Sequence, residues 1–214
     1  SLKYGLRLSH FQNVGSETIY NYDENYDPVD STTYASREFF SPYLGLEPRI
    51  GATYILNEVS SLKASYSRTR QYVHLAQNST AGTPLDVWFP STPNVKPQIA
   101  DQVAVGYFRN FLDNRIEGSV EAYYKYTQNA IDFKDHADLL LNREFEGELR
   151  FGEANAYGLE FLFRYNFSKF SGWVGYTLSR TEKKIIGINN NNTYLAGHDK
   201  PHDLSVVLNY NPSK

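Results

Sequence analysis

From Ile116 to Gln128 the chain alternates: Ile116, Val120, Ala122, Tyr124 and Tyr126 fall on one side of an extended backbone, and Glu117, Ser119, Glu121, Tyr123, Lys125 and Thr127 on the other. Side chains of a strand point to opposite faces in turn, so this pattern predicts a strand with one apolar and one water-compatible face. Tyr157 to Phe167 reads the same way: Tyr157, Leu159, Phe161, Phe163, Tyr165 and Phe167 oppose Gly158, Glu160, Arg164 and Asn166, with Leu162 as the exception. The rule recurs in Leu44, Leu46, Ile50, Ala52, Tyr54 and Leu56 against Glu47, Arg49 and Thr53, and in Leu204, Val206, Leu208 and Tyr210 against Asp203, Ser205 and Asn209. Eight strands are expected, over residues 2–12, 43–56, 62–75, 99–111, 116–130, 156–167, 173–183 and 202–210.

The connections alternate as well. Those at residues 57–61, 112–115 and 168–172 are short, while those at 13–42, 76–98, 131–155 and 184–201 are long. Short turns on one side and long loops on the other are the signature of a transmembrane β-barrel, with the turns in the periplasm and the loops outside. Strands of about 10–14 residues suit a tilted crossing of the bilayer better than the five or six residues of an average soluble strand. The fold class predicted is all-β: an antiparallel transmembrane β-barrel segment of about eight strands, with residues 1–214 as a single segment. The loops are too long for a barrel that closes on eight strands, whose interior side chains just fill it. They predict one sector of a larger barrel of about 22 strands, with further strands pairing on both sides. The chain thus reads as an internal fragment, in which Asn211, Pro212 and Ser213 open one more periplasmic turn.

Composition changes this picture little. Mean hydropathy of −0.53 would ordinarily indicate a soluble protein, but a barrel shows lipid only every second residue and needs no run of about 18 apolar residues. The 18 Tyr, 13 Phe and 2 Trp fit aromatic girdles at the two membrane interfaces. Zero Cys removes disulfides and thiol chemistry, and a net charge of −3 without any basic run argues against nucleic acid as a partner. There is no G-x-S-x-G elbow and no phosphate-cradling glycine loop, so no enzyme is expected and no cofactor is called for. Three alternatives stay open: an autonomous small barrel for adhesion or membrane architecture, a barrel-borne lipid hydrolase, and a soluble β-sandwich binding module.

Candidate chemistry lies in the loops. Residues 13–42 carry six carboxylates (Glu17, Asp23, Glu24, Asp27, Asp30 and Glu38) against Arg37. Asp23, Asn25 and Asp27 have the alternate spacing that opens a calcium loop, although Pro28 stands where an EF-hand needs Gly; the other reading is a solvated acidic loop. In the second loop, Asp86 leads into Trp88 and Phe89, with Tyr72 and His74 on the strand before it. Those rings either stack on a ligand or pack inside the loops and hold them in shape. His198, Asp199, His202 and Asp203 cluster, but Pro201 spoils a zinc-binding helix and points to a loop-to-strand corner. Asn189 to Thr193 reads as a mobile loop tip.

Several stretches resemble a known family. Glu47-Pro48-Arg49-Ile50-Gly51-Ala52, Leu62 to Arg68, Trp88-Phe89-Pro90, Asn94 to Gln98, Asp101 to Tyr107, Glu121 to Lys125, Ala156 to Glu160 and Lys200 to Ser205 resemble, in this order, the barrel of TonB-dependent outer-membrane receptors, particularly the Bacteroidetes type. The resemblance implies a Gram-negative cell outer membrane protein that takes up a nutrient (a siderophore, glycan, cobalamin or peptide) by ligand gating. The partners it implies are outer-membrane lipid, the receptor's own plug domain, the TonB energy-transducing complex reached through a preceding N-terminal part, and the ligand. It implies that inward charges such as Glu47, Arg49, Glu117, Glu121, Lys125, Glu160 and Arg164 form salt bridges on the barrel wall or meet the plug.

Overall fold

The structure, a computed structural model, describes residues 1–76, 87–137 and 142–212. Asp86, from the second loop, and Ser213 and Lys214, from the last turn, lie outside the described residues. The strands are β1 (Leu2–Val14), β2 (Glu17–Tyr22), β3 (Pro28–Tyr34), β4 (Phe39–Asn57), β5 (Ser60–Gln71), β6 (Val73–Ala76), β7 (Val87–Pro90), β8 (Gln98–Phe111), β9 (Ile116–Phe133), β10 (Leu149–Asn166), β11 (Phe170–Ile185), β12 (Tyr194–Leu195) and β13 (His202–Tyr210). Short 3-10 helices occupy Phe145–Glu148 and Asn189–Asn191. Among the described residues no helix is long and apolar enough to cross a membrane.

Strands β1, β4, β5, β8, β9, β10, β11 and β13 pair antiparallel in chain order as one sheet. All eight expected strands are present. The register carries each apolar face onto the next: Ala52, Ala64, Val105, Ala122, Leu159 and Leu178 form one row across six strands. One residue along, Thr53, Lys63, Gly106, Glu121, Glu160, Thr177 and Asp203 form a row on the opposite face. The apolar face is exposed throughout, from Leu2, Tyr4, Leu6 and Leu8 to Leu204, Val206, Leu208 and Tyr210. A continuous exposed apolar surface on this scale belongs against lipid rather than water.

The short turns are built for tightness. At 112–115, Leu112, Asp113 and Asn114 take φ of 51°, 54° and 65°, a left-handed run that Asp and Asn tolerate well. Asn57 Oδ1 accepts from Val59 N at 3.0 Å and Ser60 Oγ at 2.8 Å, closing the first turn.

The long connections hold more structure than predicted. Residues 13–42 contain the β2–β3 hairpin, and the expected strand 62–75 breaks at Tyr72 into β5 and β6, the latter paired with β7. Strands β9 and β10 run on until Phe133 meets Leu149, so the third loop is shorter than expected. The extension is stabilised by burial. Phe89, Val95 and Leu149, packed by Ile131, Phe133, Phe145 and Phe151, form one apolar core, and Ala130, Ile185 and Ile188 form a second. Both cores sit in the cap above the lipid-facing band.

The sheet does not close: among the described residues β1 pairs only with β4, and of the long strands β13 meets only β11.

Candidate functional site

The cap begins with the β2–β3 hairpin. At its tip, Asp23 Oδ1 accepts from Asn25 N at 2.8 Å and Asp27 N at 3.0 Å, and Tyr26 takes φ of 67°. The Asp27 and Asn25 backbone N–H groups hold the Asp23 carboxyl below the usual carboxylate range. The alternate spacing of Asp23, Asn25 and Asp27 therefore serves an Asx-type turn, with one carboxylate oxygen spent on backbone. Among the described residues no group of three or more His, Asp or Glu side chains is arranged to hold a metal.

The β6–β7 hairpin separates the aromatic candidates. His74 pairs with Phe89 and Leu75 with Trp88, so neighbours in sequence face opposite ways. Phe89 is 3% exposed, with its ring centroid 5.3 Å from that of Phe145 in an edge contact and 5.4 Å from His74. Trp88 is 68% exposed. Packing accounts for Phe89, whereas Trp88 stands open to solvent.

Tyr72 ties the loop to the wall. Its ring stacks on Phe11 at 5.2 Å, its hydroxyl meets Ser9 Oγ at 2.7 Å, and its carbonyl accepts from Ser91 N at 2.7 Å. Gly45 leaves room beneath it: a Cβ there would lie 2.2 Å from Arg70 Cδ and 2.9 Å from the Tyr72 hydroxyl, so those side chains would have to shift. His74, 2% exposed, has Nε2 3.0 Å from Ser91 Oγ, and its Nδ1 is buried without a partner among the described residues. Burial pushes its pKa down to about 4. A neutral ring with the proton on Nε2, donated to Ser91, leaves only a bare lone pair at Nδ1.

The node that joins the loops was not among the residues singled out from the sequence. Glu146, on the 3-10 helix, accepts from Thr92 Oγ1 at 2.7 Å and Asn94 Nδ2 at 2.6 Å, and Asn94 Nδ2 also donates to Tyr20 O at 2.8 Å. Tyr22 donates to Glu144 O at 3.2 Å, and Asn13 Nδ2 to Ser91 O at 2.7 Å. Burial raises the Glu146 carboxyl, and burial together with nearby Glu146 pushes the Tyr22 phenol up to about 12. Beside this node lies a cavity of about 320 Å³ lined by Tyr20, Tyr22, Phe40, Trp88, Phe145 and Glu146. Its aromatic walls can stack on flat or ringed ligands, and its carboxylate can accept from hydroxyl or amine donors.

The inner face of the wall carries paired charge. Arg164 Nη1 donates to Glu117 Oε2 at 2.9 Å, and buried Glu47 has Arg7 and Arg49 at 3.9 and 4.0 Å. The His198–Asp203 cluster is a corner. Asp199 Oδ1 accepts from Thr181 N at 2.6 Å, and His202, on β13, meets the Tyr176 hydroxyl through Nδ1 at 2.7 Å.

A family model described as TonB dependent receptor-like, beta-barrel, matches residues 1–213. No curated protein matches the chain. Among solved structures, the closed form of the ferric-catecholate import receptor Fiu from E. coli K12 aligns at 17% identity and a TM-score of 0.63 over 99% of this chain and 30% of its own. The alcaligin outer-membrane receptor FauA from Bordetella pertussis aligns at 15% and 0.58, over 98% and 31%. The FrpB iron transporter from Neisseria meningitidis, F3-3 variant, aligns at 14% and 0.54, over 89% and 25%. The chain spans about a third or less of each of these structures, and the likeness is one of fold.

Proposed function

Because the chain belongs to the TonB-dependent receptor β-barrel family, whose barrels are outer-membrane proteins, we propose that it forms one sector of the wall of a ligand-gated importer. The rest of the machine is part of this proposal: further strands close the barrel, a plug fills it, and the TonB complex supplies the energy. The observation that supports it best is the two-faced sheet, apolar and exposed outside, polar and ion-paired inside, under a cap of ordered loops. A plug needs such an inner face to slide on. Two open edges favour a sector over an autonomous eight-stranded barrel, since unpaired strand edges do not face lipid. The Bacteroidetes subtype belongs to the proposal too, on the motifs quoted above.

Ligand access is assigned to the cap cavity, with Trp88 as its aromatic contact and Tyr72, His74 and Phe89 holding the loop that presents it. The cargo is a nutrient of the siderophore, glycan, cobalamin or peptide class. Fiu and FrpB, as an import receptor for ferric catecholate and an iron transporter, make a ferric catecholate the first probe.

The test expresses the full-length receptor in cells with and without an intact TonB complex and follows labelled ferric catecholate, cobalamin, an oligosaccharide and a peptide. Accumulation of one probe, only with TonB intact, is expected. Trp88→Ala should lower the apparent affinity for that probe roughly tenfold, the scale of a lost aromatic anchor. Accumulation of none, or uptake indifferent to TonB, would overturn the importer reading.

A further inference from the structure

Arg68, Arg109 and Arg180 stand on the lipid side of the sheet, and they differ in what they touch. Arg68 is held by Asp101 through two bonds of 2.8 and 2.9 Å, and Arg180 by Glu182 at 3.1 Å. The Arg109 side chain has neither a hydrogen bond nor an ion pair with a described residue, and its guanidinium lies 5.1 Å from the Phe111 ring centroid. Cross-strand partners fix its face: Tyr107 pairs with Leu62 and Val120, while Arg109 pairs with Ser60 and Gly118. It therefore interrupts the outward apolar run Val103, Val105, Tyr107 and Phe111 two residues before β8 ends in a periplasmic turn. A cation on that face is costly unless it reaches the headgroup layer, and one stacked on the last ring of the strand does so.

Beside Arg109 the wall is hollow. Gly118 contributes no side chain, and a Cβ there would meet Phe111 Cε2 only at 3.5 Å. With Tyr107, Val120, Phe161, Phe163 and Val174 around it, the hollow becomes an apolar groove of about 340 Å³. We infer that this groove is a seat for one glycerophospholipid of the periplasm-facing leaflet, its phosphodiester on the Arg109 guanidinium and an acyl chain over Gly118. Charge complementarity selects this occupant. The groove is apolar along its length, its one cation has no carboxylate, and a planar guanidinium matches two oxygens of a phosphate. A second copy of the chain would bring an apolar face and leave that charge unanswered.

The test is native mass spectrometry of the full-length receptor, delipidated in detergent and titrated with phosphatidylglycerol, with folding of each variant checked by heat-dependent gel mobility. The wild type is expected to hold one lipid through activation energies that strip the rest. Arg109→Gln should lower its occupancy roughly tenfold, Gly118→Leu should lower it by filling the seat, and Arg68→Gln, which breaks a paired arginine on the same face, should leave it unchanged. Should Arg109→Gln fail to fold, Gly118→Leu decides the matter, since the charge stays in place. Equal retention by wild type, Arg109→Gln and Gly118→Leu, or a lipid-free dimer, would overturn the assignment.

Discussion

His74 is neutral because it is dry, and this makes the cap sensitive to acid. Its folded pKa of about 4 lies below the ordinary 6.5, so the unfolded hairpin binds a proton first as pH falls. The contribution of the neutral ring is complete above about 6.5 and is lost between there and about 4, to an extent of up to about 3 kcal/mol. Amide protection factors in the β6–β7 hairpin of the full-length receptor, taken relative to the intrinsic exchange rate at each pH, should fall between pH 7 and 5, and His74→Gln should flatten that dependence; equal slopes would refute it. Glu146, raised by burial, works in the other direction and gains by protonation. At this scale the sequence was partly legible. His74, Trp88 and Phe89 share one hairpin with Tyr72 at its base, but treating Trp88 and Phe89 as alike missed that strand neighbours face opposite ways. Glu146 could not be found, because it sits in an acidic run that reads as solvated surface while its partners Thr92 and Asn94 come from more than fifty residues away.

Along a single stave, adjacent residues answer to different solvents. Leu159 lies in the row with Val105 and Ala122 on the lipid side, and Glu160 faces the interior opposite Glu121. Leu159→Arg should cost about 2–4 kcal/mol in the folding of the full-length receptor into vesicles. Glu160→Arg, which places a cation opposite Glu121, should be neutral or slightly stabilising, and similar costs for the two would show that the faces are misassigned. This strict division is why the eight staves were legible: lipid on one side forces alternation with few exceptions, Leu162 and Arg109 among them. The hairpins were hidden for the opposite reason. Strand β2 is part of a cap wetted on much of its surface and buries only Ile19, and β6 is four residues long, so neither displays a clean period.

For the whole molecule, the open edges matter most. The outer edges of β1 and β13 leave backbone N–H and C=O groups that water would satisfy and lipid would not. Residues 1–214 expressed alone should therefore fail to give a heat-resistant, protease-protected barrel in vesicles, while the full-length receptor succeeds. A compact heat-resistant species from the isolated segment would favour an autonomous barrel. The alternation of short and long connections conveyed the topology without any structure, whereas the cap had to be seen, since its contacts join β2, the segment after β7 and the 3-10 helix across the length of the chain. The two buried cores lie in that cap, around Leu149 and around Ile185, and share no residue with the apolar band outside. Entering the bilayer and shaping the mouth thus depend on separate sets of side chains. Over generations the mouth can be recut while the wall goes on inserting as before.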